Sequence, residues 1–203
     1  MKKNFFMILS MLLSIFVLQQ SCNTPPAEPA KEPEKKELTQ AELIERGKYL
    51  VTAIGCNDCH TPKIFGPQGM SIDTTKLLSG HPENSPMPPI DKNALKPGSW
   101  LLFAGDLTAA VGPWGISFSA NLTPDTATGL GAWTEDVFAK TLRTGKHLGQ
   151  DGGRPILPPM PWEDFKTIKD EDLKAIFAYL KALPPIHNKV PAPVSPPDVE
   201  KMK

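Results

Sequence analysis

One-sided charge, cysteine and long apolar runs are all scarce in this chain, and each shortage removes a class of protein. Its 22 basic side chains are matched by 22 acidic ones, for no net charge across 203 residues. Nucleic-acid binders carry a basic excess or a basic stripe, so that class is set aside. Three cysteines are too few for a disulfide-stapled scaffold, and the odd number leaves at least one to be explained separately. Hydrophobic residues make up 40%, on the low side, while prolines number 23. Part of the chain is therefore expected as extended tail or rigid loop. No internal repeat is present. The length fits one domain with tails, since compact domains cluster near ~100–150 residues.

The longest apolar run, residues 5–18 broken only by Ser10 and Ser14, follows Lys2 and Lys3. A membrane-spanning helix needs roughly 20 apolar residues. A secretory signal has a basic start and an apolar core of ~7–15, so residues 1–21 are read as such a signal. It ends in Leu18-Gln19-Gln20-Ser21-Cys22. A small residue directly before a cysteine resembles a bacterial lipoprotein processing site, where the thiol receives a lipid; the leucine of the usual pattern stands one position further out, at Leu18. Lipidation of Cys22 is the expectation, because a free exposed thiol in an oxidising compartment is reactive. The product would be exported and lipid-anchored, on the periplasmic side or at the outer membrane. Residues 22–37, rich in Pro, Glu and Lys, read as a solvated tether. Residues 188–203 read as a Pro-rich tail of the same kind. The folded domain is expected over 38–187.

Cys56-Asn57-Asp58-Cys59-His60 is a C-x-x-C-H sequence, the attachment signal for c-type haem. Two thiols one helical turn apart can each add to a vinyl group on the same porphyrin edge. The adjacent imidazole then falls under the iron as its first axial ligand. Covalent attachment occurs outside the cytoplasm, in agreement with the export signal, and the cysteines are all used: one for lipid, two for one haem c. A thioredoxin-like C-x-x-C would need a βαβ surround. A structural zinc site would need two further ligands, usually a second cysteine pair. A Cys56–Cys59 disulfide would leave His60 without a role.

Three helices are expected. Thr39 and Glu42 form a capping box before a stripe of Leu43, Gly47, Leu50 and Val51. Thr134 and Gly145 bracket a second helix as N-cap and stop. The last, from Asp170 to Leu183, carries Leu173, Ile176, Phe177 and Leu180 on one face and is halted by Pro184 and Pro185.

Iron held by one side chain either takes a second ligand or keeps an open position. Downstream candidates are Met70, Met87, Met160, Met202, His81, His147 and His187. Met160, in Pro158-Pro159-Met160-Pro161-Trp162, is favoured, because three prolines fix the backbone around one thioether just before the last helix. Met87, in Pro86-Met87-Pro88-Pro89, ranks second because a long irregular stretch follows it. His81 and His147 are expected as exposed loop residues. A Met/His pair raises the reduction potential and suits electron transfer. The metal ligands expected are thus His60 and Met160.

The motifs Cys56-x-x-Cys-His-Thr-Pro, Phe118-Ser-Ala-Asn-Leu-Thr-Pro-Asp125, Gly129-Leu-Gly-Ala-Trp133, Pro158-Pro-Met-Pro-Trp162 and Asp170 to Leu180 occur in that order. Together they resemble class I c-type cytochromes, in particular the mono-haem modules of bacterial alcohol and sugar dehydrogenase cytochrome c subunits. The resemblance covers nearly all of residues 38–185. It implies an all-α fold, a small cytochrome c haem domain with crossing N- and C-terminal helices meeting near Gly47 and Phe177/Tyr179. It also implies that Asn121 and Trp133 contact a haem propionate, and that a proline carbonyl, from Pro62 or Pro67, orients His60. Two departures stand out. The chain has one haem motif where family subunits often have three, and residues 61–120 form a long insertion, expected as irregular, that would cover a haem edge or present a partner surface.

The function expected is electron carriage between redox protein partners, a dehydrogenase or a respiratory oxidase or reductase, with no catalytic residues of its own. The alternative is an open-haem enzyme reducing peroxide or a small oxide, which requires that Met160 not ligate.

Overall fold

A computed structural model describes residues 37–202. The signal sequence, Cys22 and the tether to Lys36 lie outside the described residues. Helix α1 (Gln40–Ala53) starts at Thr39, whose hydroxyl accepts from the Glu42 amide while the Glu42 carboxylate accepts from the Thr39 amide at 2.8 Å. This reciprocal cap satisfies two otherwise orphaned N–H groups. Leu43, Gly47 and Val51 form its buried face. The chain turns at Gly55, φ 76°, into the one-turn helix α2 (Cys56–His60).

The 61–120 insertion overturns the all-α expectation. Strands β1 (Lys63–Gly66) and β2 (Gly69–Ile72) form an antiparallel hairpin. Strands β3 (Leu102–Phe103), β4 (Ala109–Gly112) and β5 (Gly115–Phe118) form a three-stranded antiparallel meander. All are two to four residues long, and β4 is four small buried residues with no polar alternation, so period-2 patterning has almost no length in which to register. The insertion that the sequence presents as irregular therefore carries two small antiparallel sheets beside the helices of the fold.

Helix α3 (Glu135–Thr144) runs from the Thr134 cap to Gly145, whose left-handed conformation ends it. After α4 (Trp162–Phe165) comes α5 (Asp170–Ala182), with Leu173, Ala175, Ile176, Phe177 and Leu180 buried. Helices α1 and α5 cross at Gly47, where a Cβ atom would come within 1.9 Å of the Ala175 carbonyl oxygen and 2.7 Å of the Tyr179 Cβ. Only glycine permits that approach. The crossing helices, α3, Leu78 and Leu130 enclose one apolar cluster.

The C-terminal segment is docked. Val194 pairs with Ile116, and helix α6 (Pro196–Lys201) buries Val199 completely in a second cluster with Ala94, Val111 and Ile116. Proline punctuation implied a solvated end, but a handful of apolar residues set between the prolines is enough to seat it. Among the described residues no helix is long and apolar enough to cross a membrane.

Candidate haem-attachment site

Helix α2 presents Cys56 and Cys59 one turn apart, both as free thiols. Burial pushes the Cys56 thiol up to about 11, with Asp58 and Cys59 adding to the rise against a backbone hydrogen bond. Cys59 is also raised by burial, with Lys63 opposing. Both thiols are therefore protonated at neutral pH in the chain described. Among the described residues no group of three or more His, Cys, Asp or Glu side chains is arranged to hold a bare metal ion.

His60 is buried, and its Nδ1 lies 2.8 Å from the Ala120 carbonyl oxygen. A carbonyl can only accept, so Nδ1 carries the proton and Nε2 is left with its lone pair. Burial lowers the imidazole pKa, partly offset by that hydrogen bond, and the ring stays neutral. The orienting group is thus Ala120, where the resemblance implied a proline; the Pro62 carbonyl is taken instead by the Asp73 amide at 2.8 Å. No residue-type signal marks a backbone carbonyl 60 positions away. Together, a neutral imidazole with one fixed nitrogen and two free thiols on one turn fit the donor set of a covalently held haem.

Thr61, fully buried, donates through its hydroxyl to Asn57 Oδ1 and accepts there from the Leu78 amide, both at 2.9 Å. Lys63 Nζ donates to the carbonyls of Asn57, Asp58 and Asp106, which ties hairpin β1–β2 to α2. Gly80, at φ 79°, donates to the His60 carbonyl at 2.8 Å, and a Cβ there would meet the Ser119 carbonyl oxygen at 2.5 Å.

Met160 is partly buried and packs on the first apolar cluster, as do Cys56 and Trp133. Met87 packs on the second. The strap around Met160 is held from β5, and the segment between α4 and α5 is held from α3. Ser117 of β5 donates to the Pro158 carbonyl at 2.6 Å, and the Arg143 guanidinium gathers the carbonyls of Lys166 and Ile168 with the Asp170 carboxylate. Ser117 is a contributor that the sequence does not advertise, because the contact spans 41 positions.

Asn121 is buried with its amide engaged by protein. Nδ2 donates to Thr128 Oγ1 and the Ile186 carbonyl, while Oδ1 accepts from the Thr123 amide and hydroxyl. Trp133 is half-buried, edge-on to His147 with centroids 5.7 Å apart. His81, expected on the surface, is buried at 2% exposure, with Nδ1 2.7 Å from Thr108 Oγ1 and its ring 4.9 Å from that of Phe118.

No protein-family model matches the chain. It is 31% identical over 137 residues to the gluconate 2-dehydrogenase cytochrome c subunit of Pantoea cypripedii, covering 68% of this chain and 22% of that one. It is 32% identical over 164 residues to the cytochrome c subunit of the quinone alcohol dehydrogenase of Gluconacetobacter polyoxogenes, covering 76% and 28%. The fructose dehydrogenase cytochrome subunit of Gluconobacter japonicus matches at 30% over 137 residues, covering 68% of this chain and 20% of that one. These similarities support a cytochrome c-type family and, with it, haem c as the cofactor. The chain spans only about a fifth to a little over a quarter of the length of these curated relatives.

Proposed function

We propose that the chain is a mono-haem c-type cytochrome that carries single electrons between membrane-associated redox partners, as the electron-transfer subunit of a dehydrogenase. The observation that carries this is one short helix holding two free thiols and a buried neutral imidazole whose Nδ1 is already bound. Cys56 and Cys59 would anchor one haem c, and His60 Nε2 and the Met160 sulfur would hold its iron. Bound there, the haem supplies a one-electron Fe(II)/Fe(III) couple. The chain's own residues bind, orient and shield. Burial keeps His60 neutral, Ala120 fixes the ring, and Ser117 braces the strap that carries Met160. The shared apolar cluster favours Met160 over Met87. Trp133, on the same cluster as Met160, would line the haem, and Asn121, its amide spent on protein partners, would hold the loop that carries Ala120.

The names of the relatives, cytochrome subunits of dehydrogenases, support a dehydrogenase as partner. Ile64, Phe65 and Met70 stand exposed on the hairpin that Lys63 ties to α2, and no charge interrupts residues 64–72. The hairpin's Phe65/Met70 face suits a small apolar redox encounter. A lipid at Cys22 would hold the domain at a membrane on the periplasmic side or at the outer membrane, weakly by itself.

The test is the optical spectrum of the oxidised, matured protein with a redox titration. One haem per chain, one one-electron couple and a weak near-red sulfur-to-iron band are expected. The band should vanish in Met160→Ala and persist in Met87→Ala. Absence of any haem couple overturns the proposal. High-spin iron that binds carbon monoxide readily when reduced would move the open-haem peroxide-reducing enzyme to the front.

A further inference from the structure

We infer that Asn188, in the C-terminal segment, is a positioning residue for His60, an inference that rests on the haem reading above. His60 is held at two points: its carbonyl accepts from the Gly80 amide at 2.8 Å, and its ring donates to the Ala120 carbonyl at 2.8 Å. Two backbone segments, 79–81 and 119–121, therefore decide where the ring points. They hold each other directly through the His81 amide and the Ser119 carbonyl, at 2.9 Å.

Asn188 clasps both from behind. Its Nδ2 donates to the Ser79 carbonyl at 2.7 Å and to the His81 carbonyl at 2.9 Å, on either side of Gly80. Its Oδ1 accepts from the Glu83 amide at 2.9 Å. Its own amide donates to Thr128 Oγ1 at 3.0 Å, and the neighbouring Ile186 carbonyl accepts from Asn121 Nδ2 at 2.8 Å. One side chain thus uses two donors and one acceptor to tie the segment that grips the His60 backbone, and its own stretch of chain ties the loop that grips the ring. Asparagine is the residue this needs, since aspartate has no donor and alanine has neither donor nor acceptor. Hydrogen bonding of this kind sets the orientation and electron donation of a ligating imidazole. A weaker Nδ1–H···O bond makes the ring a poorer donor and disfavours Fe(III).

The test compares the matured full chain with Asn188→Ala, Asn188→Leu and Val199→Ala. Leucine keeps the volume of the amide while deleting its hydrogen bonds, in case alanine fails to mature. Val199→Ala loosens the same C-terminal segment through its apolar anchor, remote from the clasp. Both Asn188 variants should raise the reduction potential and speed amide exchange at Gly80 and His81 about five- to tenfold. Val199→Ala should lower stability and leave the potential unchanged. If the Asn188 variants lose stability with potential and Gly80 exchange unchanged, the residue is merely structural and the inference falls. A wild-type chain with no haem couple overturns the functional reading separately, and Gly80 exchange together with the persistence of the His60 Nδ1 proton still decides whether Asn188 holds the ring.

Discussion

Two regions of this chain solve the same problem by different means. The helical part, α1, α3 and α5, buries stripes of large side chains against one another, and its decisive contacts are repeated along each helix. The inserted part, residues 61–120 with the docked 186–202, has a second core of only four buried residues, two of them in short strands and one in the last helix. It is held instead by hydrogen bonds between segments 60 to 109 positions apart. The candidate attachment helix lies where the two meet, with Cys56 on the helical cluster and His60 bonded into the insertion. Rigid packing therefore places Cys56, while a polar network aims the imidazole.

The contrast predicts graded damage. Gly47→Leu should be the most destructive change, because backbone stands where its Cβ would go. A loss of about 3 kcal/mol in urea unfolding is expected, and a near-neutral result would break the picture of a packed helical half. Gly80→Ala strains a positive φ and pushes apart the segments flanking His60. It should cost about 2–3 kcal/mol and, unlike Gly47→Leu at matched stability, disturb the haem spectrum. Val199→Ala removes two methyl groups from the small core and should cost about 2 kcal/mol with the haem bands intact.

The smallest effect concerns acid. Burial holds the His81 imidazole below its ordinary 6.5, opposed by the Asp106 carboxylate. The unfolded chain then binds the proton more readily, so this contribution is complete above 6.5 and is lost as pH falls from there through the folded pKa. His81→Gln should flatten that part of the stability profile as pH falls below 6.5. An unchanged slope would mean another group controls acid sensitivity in the insertion.

What could be read in advance follows the same division. The Thr39/Glu42 box, the Thr134 cap with Gly145 and the Leu173–Leu180 stripe are local patterns, and each marks a helix at its observed place. Cys56, Cys59 and His60 lie within one turn of chain, so their grouping on one short helix was legible. The strands were not, being two to four residues long, nor was the docked end, whose prolines hide Asn188, Val194 and Val199. His81 looked like a surface residue because nothing nearby in sequence hints at Thr108 or Phe118. The resemblance implies a proline as the ring-orienting carbonyl, yet the carbonyl bonded to the ring is that of Ala120.

By itself, then, the sequence determined the spacing of the thiols and imidazole, the helices, and a methionine between prolines, since each depends on neighbours within a turn or two. Only the tertiary structure decided which carbonyl holds His60, which apolar cluster Met160 and Met87 each join, and that the C-terminal segment is a clasp. Those are hydrogen-bond and packing partnerships across tens of residues, and a backbone N–H or C=O carries no residue-specific mark until the fold brings its partner to it.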